Sequence, residues 1–321
     1  MAELREAYNR FDIVGVLAEK NLEIKNFNGK DAIVGDLVIK TGENSFHKVK
    51  VFANQMTSSG TESKSFISLK TVMDEYKSIA DTGNEDEADK VSAFGKLSEG
   101  KPYLNTNTNE VVTFVANQLS FISRVKDGNY EPKAKWQGEV FVQSYQPEMK
   151  KQDGDEELTE TGRKIMNVVV PTYGGKAFPM KLVLEDDGAE WFEDNVTRNS
   201  TVKVYVDLIN TTEKIVQGQT SGGFGKKEPR VFTKILNEKI VVGADDPYEE
   251  FDAENENNKA YDKDLITKAL ATREEAIEEA KNSGEDSTSK TGFGGKSNST
   301  PSNSTSGSKN TPVEEDDEIP F

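Results

Sequence analysis

Hydrophobic and polar residues alternate in short runs along the first 245 residues, and polar turns separate the runs, as is typical of β-strands. In the first half, this pattern predicts strands at residues 11–19, 32–40, 46–55, 90–97 and 111–125. Between the third and fourth strands, apolar residues recur at three- and four-residue spacing. That spacing predicts a helix over residues 65–79.

The second half repeats this order of elements. Strands are predicted at residues 136–145, 164–171, 177–184, 201–209 and 230–242, with a short helix over 189–195. Residues 90–97 resemble 201–208, and residues 115–122 resemble 235–242, which indicates one pattern used twice. Three strands, a helix and two strands is the order of an OB-fold barrel. We therefore predict an all-β protein with minor α content and two tandem OB-folds, at residues 1–128 and 129–245. Two small sandwiches, or another barrel without a ligand, stay as the alternative.

The last part of the chain has a different composition. Residues 246–284 are acidic and contain an amphipathic helix candidate over 262–281, which predicts docking on its own protein or, alternatively, contact with a second subunit. Residues 285–311 are rich in Ser, Asn and Gly and have little to bury, so we expect a disordered linker. Residues 312–321 form an acidic tip.

Composition favours binding over catalysis. The chain has no cysteine, which excludes disulfides and thiolate metal sites and fits a reducing cytoplasm. A single histidine, His47, leaves little room for a Ser-His-Asp triad or an imidazole metal cluster. No stretch approaches the roughly 20 apolar residues of a membrane helix, and the charged N-terminus does not resemble a signal peptide. We expect no enzyme activity, no cofactor and no membrane contact.

The net charge of −17 argues at first against a nucleic-acid partner. However, residues 246–321 carry 19 acidic and 8 basic side chains, so most of the excess negative charge lies in this region. The first 245 residues are still not basic. Any surface for nucleic acid must therefore be a local patch.

The third predicted strand carries the most informative pattern. Alternation places Phe46, Lys48, Lys50 and Phe52 on one face, and His47 on the opposite face with the core. Aromatic rings between ammonium groups suit a single strand of nucleic acid, because bases stack on rings while phosphates meet cations. An ordinary solvated strand face is the alternative. We expect His47 to be a packed core residue.

Other candidates lie in the second half. One face of its first strand carries Phe141 and Tyr145, and a tight turn carries Tyr173 beside Lys176, where capping of the barrel end is an equal alternative. The loop over residues 217–230 lacks the spacing of a P-loop but suits a flexible finger over a DNA backbone, with a mobile hairpin loop as the alternative. Its candidate contact residues are Phe224, Lys226, Lys227 and Arg230.

The most specific signal is the last stretch of the sequence, where five acidic residues precede an apolar end. Its candidate protein-interaction residues are Asp316, Asp317, Glu318, Ile319, Pro320 and Phe321. An acidic tail usually only aids solubility, but an exposed apolar end suits a partner's pocket. This tip resembles that of bacterial single-stranded-DNA-binding proteins, where a run of Asp precedes Ile-Pro-Phe; Glu318 replaces a usual Asp.

The resemblance implies an OB domain that binds single-stranded DNA and a tip that recruits replication, recombination and repair proteins. Two apparent OB domains per chain depart from the common bacterial form and resemble tandem or phage-encoded versions, so a dimer would supply four barrels. The implied location is the cytoplasm, at the bacterial nucleoid or in a phage host. One rival is a protein-interaction hub whose barrels bind proteins. Another is a nuclease with a carboxylate-held metal, which no compact acidic cluster supports.

Overall fold

The computed structural model describes residues 3–105, 107–151, 157–217, 230–255 and 257–288. These residues belong to two compact units. The first unit holds the described parts of residues 1–99 and 115–273, and the second holds those of residues 100–114 and 274–321. The predicted barrel at residues 129–245 lies within the first unit, whereas residues 100–114 of the predicted barrel at 1–128 belong to the second. The predicted boundary between residues 128 and 129 stays a prediction.

The described residues form twelve strands, four α-helices and two short 3-10 helices, at Glu85–Glu87 and Asp127–Asn129. The strands are β1 (Asn9–Phe27), β2 (Lys30–Gly42), β3 (Ser45–Asn54), β4 (Lys90–Glu99), β5 (Tyr103–Asn105), β6 (Glu110–Val112), β7 (Val115–Arg124), β8 (Lys133–Lys151), β9 (Leu158–Thr172), β10 (Lys176–Leu184), β11 (Thr201–Gln217) and β12 (Arg230–Ala244). The helices are α1 (Lys64–Glu75), α2 (Ile79–Thr82), α3 (Asp186–Asn195) and α4 (Lys263–Thr288). The predicted all-β class with minor α content is confirmed.

Five strands of the first half close into a barrel. The order is β1-β2-β3-β7-β4, and β4 pairs back with β1. The pairing of β3 with β7 is parallel, at Val49 and Asn117, whereas the other pairings are antiparallel. Since α1 follows the third strand of this barrel, the connectivity is that of an OB-fold. We call it barrel 1.

The second half closes in the same way. The order is β8-β9-β10-β12-β11, with β11 pairing back to β8 and α3 after the third strand. Its parallel pairing again joins the third and fifth strands, at Val183 and Ile240. The two pairs of similar sequence segments therefore lie on equivalent strands: residues 90–97 and 201–208 on β4 and β11, and residues 115–122 and 235–242 on β7 and β12. We call this barrel 2.

The two barrels share one ten-stranded sheet because their first strands pair with each other. The β1–β8 ladder is antiparallel and runs from the Asn9–Gly138 pair to the Val14–Lys133 pair. The indole of Trp136 fills this junction and is 1% exposed. Gly138 is required beside it, because a Cβ added there would lie 2.1 Å from the indole ring.

Two predicted elements in barrel 1 are interrupted. The predicted helix over residues 65–79 ends at Glu75, and a second helix starts after Ser78. There, Ser78 accepts a hydrogen bond from the Asp81 backbone N–H, and the Asp81 carboxylate accepts one from Ser78 N–H, which forms a capping box. The predicted strand over 111–125 is divided into β6 and β7.

The acidic segment after β12 is docked on the first unit. Tyr261 is buried, its backbone N–H donates to Thr201, and the start of α4 buries Ile266 and Ala269. For the part of this helix up to Arg273, the predicted docking on its own protein is confirmed. The helix extends to Thr288, four residues into the predicted linker, because backbone hydrogen bonding propagates once a helix has formed. In the part of the chain that the structure describes, no helix has the length and apolarity to cross a membrane.

A buried carboxylate joins this C-terminal segment to the N-terminal one. Glu139 of β8 accepts hydrogen bonds from Arg5 at 2.7 Å, from the Tyr8 backbone N–H at 2.9 Å, and from the hydroxyls of Tyr248 at 2.7 Å and Tyr261 at 3.1 Å. Burial raises the pKa of Glu139, but the hydrogen bonds from Arg5, Tyr8 and Tyr248 outweigh it and lower the pKa overall. The network fixes both segments against barrel 2.

Candidate nucleic-acid interface

The outer face of β3 presents the predicted aromatic and basic side chains. Phe52 is 46% exposed and Lys48 is exposed, while Phe46 and Lys50 are half-buried. The alternate residues, from His47 to Ala53, are buried. The predicted division of this strand into an outer and a core face is confirmed.

An acidic residue that the sequence pattern did not single out lies between the two lysines. Asp36 of β2 pairs in register with Lys50, and its carboxylate lies 2.9 Å from Lys50 Nζ and 3.2 Å from Lys48 Nζ. The first contact is an ion pair without hydrogen-bond alignment. The Lys48 side chain is 59% exposed and that of Lys50 is 18% exposed. Lys48 is therefore the more accessible cation for a phosphate.

A second exposed ring extends the aromatic surface. Phe27 lies at the end of β1, and its ring centroid is 6.2 Å from that of Phe52. The β1–β2 turn places it there, because Asn28 and Gly29 adopt φ values of 52° and 82°, as a tight hairpin requires. Sequence reasoning missed Phe27, although the Asn-Gly pair after an alternating run is a hairpin signal that could have found it.

His47 is a core residue, as predicted. Its side chain lies beneath the outer face, 2% exposed, with Nε2 at 3.2 Å from Ser45 Oγ and 3.1 Å from Thr41 Oγ1. Burial lowers the pKa of His47 to about 4. The imidazole is therefore neutral near neutral pH and contributes no charge to the candidate surface.

Two predicted contacts on the first strand of barrel 2 do not lie on an open surface. Phe141 is 3% exposed and belongs to the core, so its predicted exposure to a base is wrong. The alternation rule failed because both faces of β8 are buried here: the consecutive residues Val140, Phe141 and Val142 are all buried. By alternation Phe141 shares its face with Glu139, which the N-terminal and C-terminal segments cover. The ring of Tyr145 packs against the core, and its hydroxyl donates to the Val196 carbonyl at 2.9 Å.

The turn between β9 and β10 is exposed. Tyr173 is 83% exposed, and Gly174 and Gly175 follow it with φ values of 74° and 69°. Lys176 begins β10 and is also exposed. A ring with so little packing does not cap the barrel end, and its role in binding stays a prediction.

The remaining predicted residues fall largely outside the described part of the chain. Phe224, Lys226 and Lys227 lie outside it, and so do the tip residues Asp316, Asp317, Glu318, Ile319, Pro320 and Phe321. Arg230 begins β12, where its backbone pairs with Gln217. Their predicted roles stay predictions.

An arginine that sequence reasoning missed connects the strands near the predicted loop. Arg163 of β9 makes bonds of 2.8 Å to Glu148 of β8 and to Glu238 of β12, and a 2.9 Å bond to Glu185. Hydrogen bonding from Arg163 lowers the pKa of Glu148 to about 2. The cluster fixes the extended ends of β8, β9 and β12 to one another. No periodic pattern encodes it, because its members are far apart in sequence.

Among the residues that the structure describes, no group of three or more His, Asp or Glu side chains is arranged to hold a metal ion.

Comparisons with known proteins give a family match and two distant structural likenesses. A family model described as YorF matches residues 7–283. No curated protein matches the chain. The chain is similar to a deletion mutant of the single-stranded DNA binding protein from Thermus aquaticus, with 13% identity and a TM-score of 0.46, over 79% of this chain and 100% of that chain. The wild-type protein gives 10% identity and a TM-score of 0.44, over 77% and 97%. Because both TM-scores are below 0.5 and both identities are below 25%, we draw no conclusion about the site from these two structures.

Proposed function

The chain belongs to the YorF family, and we propose that it binds single-stranded DNA without strong sequence preference. The observation that carries this proposal is the outer face of β3, where Phe46 and Phe52 alternate with Lys48 and Lys50 above a buried layer. In an OB-fold, the second and third strands and the neighbouring loops form the surface for oligonucleotides.

The chemistry of this surface supports a single strand rather than a duplex. The exposed rings of Phe27 and Phe52 can each stack on an unpaired base, because every base has an aromatic face. The Lys48 ammonium group lies on the same strand and can meet the phosphate that links the bases. Stacking tolerates any base, and this accounts for the lack of sequence preference in the proposal.

The wider role that we propose rests on the sequence of the tail. Residues 314–321 would recruit replication, recombination and repair proteins, with the apolar end in a partner's pocket and the acidic residues attracted to its basic rim. The protein would act without catalysis and without a cofactor. It would work in the cytoplasm, at a bacterial nucleoid or in the host of a phage.

A protein-interaction hub is the second candidate, and one contact favours it. Asp36 pairs with both Lys48 and Lys50, so part of the positive charge on the β3 face is already neutralised within the protein. A surface that combines exposed phenylalanines with a balanced ion pair also suits an extended peptide. The two candidates differ in their response to DNA.

Titration with labelled oligo-dT separates the two candidates. Anisotropy of the labelled oligonucleotide is the suitable signal, because neither tryptophan lies on β3: Trp136 is buried at the barrel junction and Trp191 lies on α3. We expect saturable binding that competes equally with mixed-sequence single strands and poorly with a duplex. Absence of binding at low salt would reject the proposal and leave the hub.

A further inference from the structure

The last two strands of barrel 2 form a long arm. β11 has 17 residues and β12 has 15, whereas the equivalent strands of barrel 1, β4 and β7, have 10 each. Their antiparallel ladder continues from Val204–Ala244 to Gln217–Arg230. We call residues 209–217 and 230–238 the arm. Its length carries it past the closed part of barrel 2.

The arm contacts barrel 1 at the start of the strand that carries the candidate surface. Thr211 of β11 forms an antiparallel bridge with Ser45 of β3. Beside it, the Thr212 backbone N–H donates to the Asn44 carbonyl at 2.9 Å. β11 is therefore a direct neighbour of β3, and the two barrels meet at this point as well as at the β1–β8 ladder.

The register of this bridge determines which side chains of the arm lie next to the outer face of β3. Ser45 faces the core side of β3 with His47, so Thr211 lies on that side too. By alternation, Asn210 and Thr212 lie on the side of Phe46. Across the arm they pair with Asn237 and Ile235, which are exposed, Ile235 at 68%. The outer face of β3 thus continues onto an uncharged face that is formed by Asn210, Thr212, Ile235 and Asn237.

The arm is also held at its base. Glu238 of β12 accepts two hydrogen bonds from Arg163 of β9, one at 2.9 Å and one at 2.8 Å. The side chains of Arg163 and Glu238 are 21% and 12% exposed, so solvent screens this pair less than an open ion pair. The arm is therefore fixed by barrel 2 at one end and by Asn44 and Ser45 of barrel 1 further along.

We propose that one strand of DNA runs from the outer face of β3 onto the arm, so that the two barrels form a single continuous site. This inference rests on the proposed function. Phe46 stands at the crossing point, the amides of Asn210 and Asn237 can hydrogen-bond to base edges, and Ile235 offers an apolar contact. Barrel 1 alone would bind a short strand, and only a longer strand would use the arm.

The first test removes one backbone donor. Thr212→Pro deletes the N–H that bonds to Asn44 and spares the β12 ladder, because alternate N–H groups point to opposite sides. We expect binding of an oligo-dT of about 30 nucleotides to weaken about tenfold or more, and binding of one of about 10 nucleotides to stay unchanged. Thr212→Val changes the side chain but keeps the N–H, so its loss of long-strand affinity should be much smaller than that of Thr212→Pro. Equal loss for both lengths, or none for either, would overturn the inference.

A second test does not depend on tolerance of proline. Thr211 and Ser45 do not hydrogen-bond to each other, because the bond lies between their neighbours Thr212 and Asn44. In antiparallel strands such a non-hydrogen-bonded pair has its Cα atoms close together, at a distance that suits a disulfide. In this cysteine-free chain, T211C with S45C should form a bond on oxidation and keep the full affinity for the long oligonucleotide. Failure to cross-link, or loss of long-strand affinity on oxidation and its return on reduction, would contradict a site that crosses the docked arm.

A third test probes the face itself. Ile235→Glu places a negative charge in the proposed path and should weaken the long oligonucleotide about tenfold without affecting the short one. Phe251→Glu is the matched control, since Phe251 is an exposed apolar residue of the acidic segment. If the parent binds no oligo-dT, the proposed function fails. If the parent binds oligo-dT but Ile235→Glu and Phe251→Glu have the same affinity for the long oligonucleotide, the continuous site is rejected and the proposed function stands.

Discussion

The indole Nε1 of Trp136 donates a hydrogen bond to Asn9 Oδ1 at 2.8 Å, across the junction of the two barrels. Asn9 is 7% exposed and also bonds to the backbone of Leu97, by accepting from its N–H at 3.0 Å and donating to its carbonyl at 2.8 Å. One amide side chain thus satisfies polar groups on β4 and β8. Since each of these groups is buried, none has water as a substitute partner.

Asn9→Ala should therefore be strongly destabilising. It leaves the Trp136 N–H and both polar groups of Leu97 without partners, at a cost of about 2–4 kcal/mol in the free energy of unfolding. Urea unfolding followed by circular dichroism measures this change. Asn21→Ala is the control, because Asn21 is exposed and its side-chain amide donates to Glu19 of the same strand. A loss equal to that of the control would show that the junction does not depend on Asn9.

Acid should destabilise the protein in a window set by His47. Its pKa is lowered to about 4 in the folded protein from about 6.5 when unfolded, so the unfolded chain binds the proton first as the pH falls. The stability from this residue is complete above pH 6.5 and is lost between 6.5 and about 4, by about 2–3 kcal/mol. Urea unfolding between pH 7 and about 5.5 tests this, because the unfolded chain begins to protonate Glu139 and Glu148 only as the pH approaches their ordinary pKa of 4.5. His47→Gln should abolish the slope in that window, and a flat parent profile would refute the assignment.

The sequence predicted most strands because local alternation and the repeat encode them. The third strand is the best case: alternation separated Phe46 and Lys48 from His47, and the structure has the same division. It predicted the helix of the acidic segment for the same reason, since the apolar side of that helix is a local pattern. The break at Ser78 was missed because a capping box competes locally with continued helix periodicity.

The interactions that no local pattern contains could not be predicted. Asp36 lies beside Lys50 only because of the β2–β3 register, and Arg163 meets Glu238 only after β9 and β12 are placed in one barrel. Phe141 was wrongly treated as a contact for a base because its burial depends on distant segments that cover the second face of β8. Register and barrel closure are properties of the whole chain.

Loss of an exposed ring should weaken DNA binding. Phe46→Ala, Phe52→Ala and Phe27→Ala should each cost about 1–3 kcal/mol of oligo-dT affinity, because each removes a ring on which a base can stack. Phe121→Ala is a matched control, since Phe121 is 46% exposed like Phe52 but lies on β7. Anisotropy titrations at one salt concentration give the comparison. Equal effects of Phe52→Ala and Phe121→Ala would remove β3 from the site.

Salt dependence should separate the two lysines of this face. Lys48→Ala should flatten the slope of log affinity against log salt by roughly 0.7, the value for one phosphate contact on a single strand. Lys50→Ala should have a smaller effect, since Lys50 is covered and paired with Asp36. Asp36→Asn removes the negative charge beside Lys48 and Lys50 and should raise affinity at low salt. Weaker binding by Asp36→Asn would mean that the carboxylate orients the lysines for DNA rather than competing with it.

The last prediction concerns the tip, residues 314–321. Deleting it should leave the described fold intact, because the structure holds its core within residues 3–273. Recruitment of replication and repair proteins should be abolished, and Phe321→Ala alone should do nearly the same, because a buried aromatic anchor dominates such contacts while the acidic residues only steer the encounter.

DNA affinity of the truncated protein should hold or rise at low salt. A tail of this charge can compete with phosphates for the same cationic groups, among them Lys48, and its removal ends that competition. Added salt should shrink the gain, because screening weakens the attraction between the tail and the lysines. A charge-neutral replacement of residues 314–318 that keeps Ile319, Pro320 and Phe321 separates the two effects, since it should raise affinity yet retain the anchor. Much weaker oligo-dT binding after truncation, or partner pull-downs that survive loss of Phe321, would count against this role of the tip.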